Sequence, residues 1–125
     1  MKTHLFDLTG KTALVTGGGS GLGLGITKAL INSGARVMII GRRKGVLESA
    51  CAQLGAKAFY KVFDLAQLKK IPSLVNDIEN EIGAIDIVVN NAGVHLKKEV
   101  LEVTDEEFEK VIKINEQAVF SLSRE

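Results

Sequence analysis

The sequence predicts an α/β fold, a doubly wound parallel sheet that ends after its fourth strand and the helix following it. Three observations carry this. A short apolar, β-branched run at Thr12–Thr16 passes into a glycine-rich turn, and an apolar pattern resumes at Leu22, Ile26, Ala29 and Leu30. The run Val37-Met38-Ile39-Ile40 is continuously apolar, as in a parallel strand buried on both faces. Helical stretches closed by single glycines alternate with the strand-like runs. The 125 residues, 46% hydrophobic, are read as one domain, residues 1–125, able to close a modest core.

Composition narrows the function. Sixteen basic and fifteen acidic side chains nearly cancel, which leaves no general field for nucleic acid or an anionic membrane. Small-molecule chemistry is the better expectation. The apolar runs are too short to span a membrane, and Met1–Asp7 is interrupted by polar residues where a signal peptide needs an apolar stretch, so a cytoplasmic protein is expected. Cys51, the only cysteine, has no partner in the chain and suits a small core position. No metal-ligand set is assigned.

The elements follow in order. Thr9-Gly10 turns the chain into a strand at 12–16, and a helix from about Leu22 to Ser33 is closed by Gly34. A second strand covers Arg36–Ile40. A helix at Val46–Leu54 ends on Gly55, and a third strand spans Lys57–Phe63, with Phe59, Lys61 and Phe63 opposite Ala58, Tyr60 and Val62. Ile71, Leu74, Val75, Ile78 and Ile82 step at helical spacing, with Pro72 near the start and Gly83 as the stop. The fourth strand is Ile85–Val89. After a loop from Val94 to Val103, Thr104 and Glu107 form a capping box that opens a long helix with an apolar stripe of Phe108, Val111, Ile112, Ala118 and Val119.

The glycine turn is the chemical centre. Free backbone N–H groups at a helix start converge on one point, where the helix dipole adds positive charge, so a phosphate or diphosphate is the natural occupant. The spacing Gly-x-Gly-x-x-Gly fits no register here; Thr16-Gly17-x-x-x-Gly21-x-Gly23 does. Gly17 makes the turn, Gly21 leaves the diphosphate unobstructed and Gly23 lets helix and strand pack closely. A ligandless glycine connector is the rival reading.

At the end of the second strand an acid would bind the ribose 2′-hydroxyl of a dinucleotide, but Gly41 stands there, followed by Arg42 and Arg43. A guanidinium favours a 2′-phosphate, and hence NADP(H) over NAD(H), unless the two arginines are merely solvated. Asp64-Leu65, at the end of the third strand, either faces a ligand or caps the next turn.

Two segments, Thr-Gly-Gly-Gly-Ser-Gly-Leu-Gly at 16–23 and Asn-Asn-Ala-Gly at 90–93, resemble the short-chain dehydrogenase/reductase family. The resemblance covers essentially all 125 residues and implies the Rossmann fold with strand order 3-2-1-4. It implies coenzyme contacts at Gly17, Gly19, Ser20, Gly21, Leu22, Gly23 and Arg42, adenine contacts at Asp64 and Leu65, and ribose contacts at Asn91, Ala92 and Gly93. Ser20 departs from the basic residue that many NADP(H)-preferring relatives carry in this loop. Asn115 falls within the apolar stripe, where a buried amide must be hydrogen-bonded; by resemblance it is the active-site Asn, set at a helix distortion and holding a water in a proton relay. His95 either faces a substrate or is solvated.

The family's catalytic serine and its Tyr-x-x-x-Lys would lie beyond the point where this chain stops. Tyr60, the only tyrosine, is followed by Lys61, Val62, Phe63 and Asp64. The chain is thus read as the cofactor-binding half of a truncated, cleaved or incompletely recorded oxidoreductase acting on an alcohol or ketone, inactive by itself. Its fourth strand and last helix are expected to be bare on one flank, and a homo-oligomer, dimer or tetramer, through the last helix follows. The alternative is a non-catalytic dinucleotide-binding module, a redox sensor or regulatory domain. The general look is similar to dehydrogenases of the gluconate type and to 3-oxoacyl carrier-protein reductases.

Overall fold

The computed structural model describes residues 6–93 and 98–125. His4 and His95 lie outside them. Four parallel strands, β1 (Thr12–Thr16), β2 (Arg36–Gly41), β3 (Ala58–Val62) and β4 (Ile87–Asn90), form one sheet in the order β3-β2-β1-β4. The order is the expected one. Register is direct, with Val15 beside Ile39 and Val89, and Ile39 beside Tyr60.

Helices cover both faces. On one side α1 (Gly21–Asn32) and α2 (Lys44–Leu54) bury Ala13, Val15, Val37 and Ile39 with Leu47 and Ala50. On the other, α3 (Ile71–Ile82) and α5 (Ala118–Arg124) enclose Leu14, Met38 and Ile40 with Ile71, Ile78 and Leu122. All five residues of β1 are buried, which is why that run shows no polar alternation. Truncating the fully buried Ile78 to alanine costs about 2–5 kcal/mol.

Boundaries differ from the expected ones where side chains intervene. β4 starts at Ile87 rather than Ile85, and Asp86 just before it is tied twice to Thr12, its Oδ2 accepting from the Thr12 N–H at 2.9 Å and its own N–H donating to the Thr12 carbonyl at 2.8 Å. α2 starts at Lys44 rather than Val46, behind an extended Arg43 that carries no side-chain cap, so the sequence held no start signal. β3 is one residue shorter at each end than expected, and its two sides divide as read: Phe59 and Phe63 pack towards α3, Tyr60 towards α2. Cys51 is half-buried against the α2 layer rather than within the core, and burial pushes its thiol pKa up.

The last helix departs most. α4 (Asp105–Ile112) opens at Thr104, whose Oγ1 accepts from the Glu107 N–H at 3.1 Å, as the capping box predicts. It then widens into a π-turn at Lys113–Gln117 before α5. The extra residue in that turn rotates the buried face, which is Ile114, Ala118, Ser121 and Leu122, and Phe108 stands 60% exposed instead of leading the stripe. Within α1, likewise, Leu22 and Ala29 are exposed and only Gly23 and Thr27 are fully buried. Among the described strands β4 pairs with β1 alone, and Val88 is left 39% exposed.

Candidate coenzyme site

A cleft of about 230 Å³ opens across the carboxyl ends of the four strands, where the strand order reverses between β1 and β4. Its walls are Gly17, Gly19 and Ser20 from the loop after β1, Ile40 to Arg43 from the end of β2, and Val46 and Leu47 from α2. Phe63, Asp64 and Leu65 follow from the end of β3, Ala92 and Gly93 from the end of β4, and Ile114 from the π-turn.

The loop is built by close approach. Gly17 takes φ +66°, a left-handed conformation, while its N–H donates to the Ile40 carbonyl at 2.8 Å. A Cβ at Gly23 would meet the Gly17 carbonyl oxygen at 1.9 Å. Glycine is obligatory there, and α1 seats directly on the turn. Thr27 Oγ1 donates to the Gly23 carbonyl at 2.8 Å and braces the first helical turn from below.

At the helix start Ser20 is extended and its side chain makes no cap, and the first turn carries no acid. Among the described residues the N–H groups of Gly21 and Leu22 make no backbone hydrogen bond. Donors left open at the positive end of a helix bind an anion.

The β4 end is tied to this loop. Thr16 Oγ1 accepts from the N–H groups of Asn91 at 3.0 Å and Ala92 at 2.9 Å. Asn91 Nδ2 donates to the Gly17 carbonyl at 3.2 Å, and Asn90 Nδ2 donates to Ser123 Oγ at 3.2 Å on α5. Asn-Asn therefore fastens strand ends and a helix, which leaves Ala92 and Gly93 to face the cleft.

On the opposite wall Arg42 and Arg43 are exposed, and neither forms an ion pair among the described residues. Asp64 lines the cleft, and its Oδ1 accepts from the Ala66 N–H at 2.9 Å in the turn that follows. Leu65 is buried against the α3 layer.

Of the residues singled out in the sequence, Gly17, Gly19, Ser20, Arg42, Asp64, Leu65, Ala92 and Gly93 line one cleft. Gly23 and Asn91 stand behind the wall and shape it, and Gly21 opens α1 with free space where a side chain would be. Leu22 is 76% exposed and is not among the walls of the cleft. Asn115 is exposed rather than buried in the stripe, because the π-turn gives the inward place to Ile114. Its Oδ1 lies 3.1 Å from where a Cβ on Gly93 would be, at the rim of the cleft. Sequence reasoning missed Leu47 and Ile114 as wall residues and the double acceptor role of Thr16. Only Thr16 had a signal, as the last residue of the first strand beside the glycines.

A four-stranded parallel sheet helical on both faces, with its cleft at the point of strand reversal, defines a doubly wound α/β domain of Rossmann type. The family described as short chain dehydrogenase matches residues 11–125, and the chain belongs to it. Among its relatives, a 3alpha-hydroxysteroid dehydrogenase of Mediterraneibacter gnavus is 35% identical over 94% of this chain and 49% of its own length. The gluconate 5-dehydrogenase of Gluconobacter oxydans is 37% identical over 93% of this chain and 46% of its own. The crystal structure of a 3-ketoacyl-(acyl-carrier-protein) reductase from Brucella melitensis complexed with NADH superposes with a TM-score of 0.87 at 34% identity, over 94% of this chain and 49% of that one. The chain thus spans about half the length of the relatives it matches. Among the described residues no helix is long and apolar enough to cross a membrane, and no cluster of three His, Cys, Asp or Glu could hold a metal.

Proposed function

We propose that this chain supplies the coenzyme-binding half of a cytoplasmic oxidoreductase that moves a hydride between NADP(H) and an alcohol or carbonyl substrate. The observation that carries the reading is the uncapped, acid-free start of α1 facing the same cleft as Arg42 and Arg43, with no carboxylate at position 41.

The residues suit the coenzyme. The amides between Gly17 and Gly23 would hold its diphosphate, and Gly21, with open space where a Cβ would stand, leaves them accessible. Arg42, aided by Arg43, would take the 2′-phosphate. Asp64 and Leu65 would meet the adenine, and Asn91, Ala92 and Gly93 the ribose. When bound, the coenzyme supplies the hydride. Asn115, at the rim beside Gly93, would position a proton relay. In the same reading the exposed Phe108 and Phe120, 60% and 65% accessible, belong to a homo-oligomeric contact of the last helix.

Titration with NADPH and NADH tests the coenzyme preference. NADPH is expected to bind more tightly, and Arg42→Ala to weaken NADPH about tenfold, the loss of about 1.4 kcal/mol of charged hydrogen bonding, with NADH unchanged. Equal affinities for both coenzymes overturn the preference. A non-catalytic dinucleotide-binding module is the second reading, under which Tyr60, whose hydroxyl donates to Glu48 Oε1 at 3.0 Å and which is not among the walls of the cleft, has no part in chemistry. Reading the gene past Glu125 separates the two, since catalysis demands a tyrosine followed four positions later by a lysine.

A further inference from the structure

We propose that Leu47 is a specificity-determining residue of the cleft: its isobutyl group fills the space into which an acidic side chain at position 41 would project. This deepens the coenzyme preference proposed above and rests on it. A Cβ placed on Gly41 would lie 3.1 Å from Leu47 Cδ2, 3.6 Å from its Cγ and 3.7 Å from its Cδ1, so the three atoms nearest to it all belong to one side chain. The same methyl group would lie 3.1 Å from a Cβ on Gly19, where Val46 Cγ1 stands equally close. Leu47 is therefore a wedge between the glycine loop and the end of β2. Carbon atoms in contact prefer separations of about 3.5–4.0 Å, and a carboxylate adds three heavy atoms beyond the Cβ.

The wedge has little room to retreat. Leu47 is 2% exposed, packed in the layer that holds Val15, Val37 and Ile39. Its backbone is fixed as well, the Leu47 N–H donating to the Arg43 carbonyl at 3.2 Å in the first turn of α2. Selectivity then has two parts. Arg42 and Arg43 attract a 2′-phosphate, and Leu47 keeps position 41 free of the carboxylate that would hydrogen-bond an unphosphorylated ribose diol and repel the phosphate. It follows that adding the acid alone cannot turn the site towards NADH.

Two measurements test this. In coenzyme titrations, Gly41→Asp alone is expected to leave NADH binding no tighter, whereas Gly41→Asp in a Leu47→Ala background tightens NADH about tenfold over Leu47→Ala alone. A single Gly41→Asp chain that gains NADH affinity as fully as the double variant overturns the proposal. In thermal unfolding, Gly41→Ala is expected to lower Tm by about 4 °C when Leu47 is present and to leave it unchanged or raised in the Leu47→Ala background. Equal effects in both backgrounds also overturn it, and Leu47→Val provides the background if Leu47→Ala does not fold. Failure of the preference itself looks different: wild-type chain binds the two coenzymes equally while the unfolding experiment still shows the coupling between positions 41 and 47.

Discussion

Gly23 and Gly17 are in such close contact that a single methyl group on Gly23 would sit 1.9 Å from the Gly17 carbonyl oxygen and 2.6 Å from Asn91 Nδ2. The atoms in the way are backbone and a hydrogen-bonded amide, not the free end of a flexible chain. Gly23→Ala is therefore expected to destabilise the fold by about 3 kcal/mol through overpacking and to displace the loop amides from the cleft. Denaturant unfolding with a coenzyme titration checks both; a variant as stable as the wild type contradicts the contact.

Thr16 Oγ1 satisfies two backbone N–H groups, those of Asn91 and Ala92, at a residue that is 1% exposed. Replacing it with valine preserves the shape and strands both donors, at about 1–3 kcal/mol for each unsatisfied group. Thr16→Val is expected to lose stability and to speed amide exchange at Asn91 and Ala92, while Thr16→Ser keeps those amides protected. Faster exchange elsewhere but not at these two amides would contradict the assignment.

Gly25 is the opposite case. It lies inside α1, exposed, and a Cβ there would meet nothing within 4 Å. No turn or close approach requires glycine, so Gly25→Ala should stabilise the chain by about 0.5–1 kcal/mol, read as a rise in Tm. A fall in Tm would mean that something covers this face of α1.

The start of α4 depends on pH. Hydrogen bonds from Lys98 Nζ at 2.9 Å and Thr104 Oγ1 at 3.1 Å hold the Glu107 carboxyl below its ordinary pKa, and the backbone N–H of Thr104 adds to this. A pKa lowered by folding contributes stability that is present above the unfolded value of about 4.3 and is lost as pH falls through the lower, folded value. Acid should therefore loosen residues 104–107 at the acid end of the titration. Glu107→Gln is expected to flatten that dependence in a chemical-shift titration of the α4 amides, and an unchanged profile would contradict it.

Much of this architecture was legible because short-range chemistry fixes it. The bounds of β1 and the Thr104 cap follow from a β-branched run, glycine punctuation and a side chain three residues from its partner, while the strand order came with the family resemblance. Other features depend on contacts distant in sequence. The Asp86 side chain binds the N–H of Thr12, 74 residues away. Arg43 begins a helix with no cap residue, and Leu47 becomes a wall of the cleft only because α2 swings over the glycine loop. The stripe read through Phe108 and Asn115 assumed an unbroken helical period. The family resemblance implied a distortion at Asn115, but periodicity could not say which side chain the distortion would turn inward; it was Ile114.

The π-turn at Lys113–Gln117 has a mechanical consequence. It acts as a phase shifter, setting α4 and α5 apart by one residue, about 100° of rotation about a shared axis. Rewinding the same residues as a uniform α-helix would turn Phe108 by about 100° relative to α5, whereas deleting one residue from the span would restore uniform winding and keep the two halves in their present phase. The insertion lets one continuous rod serve two masters, with its carboxyl half gripping the sheet and its amino half turned to the world outside.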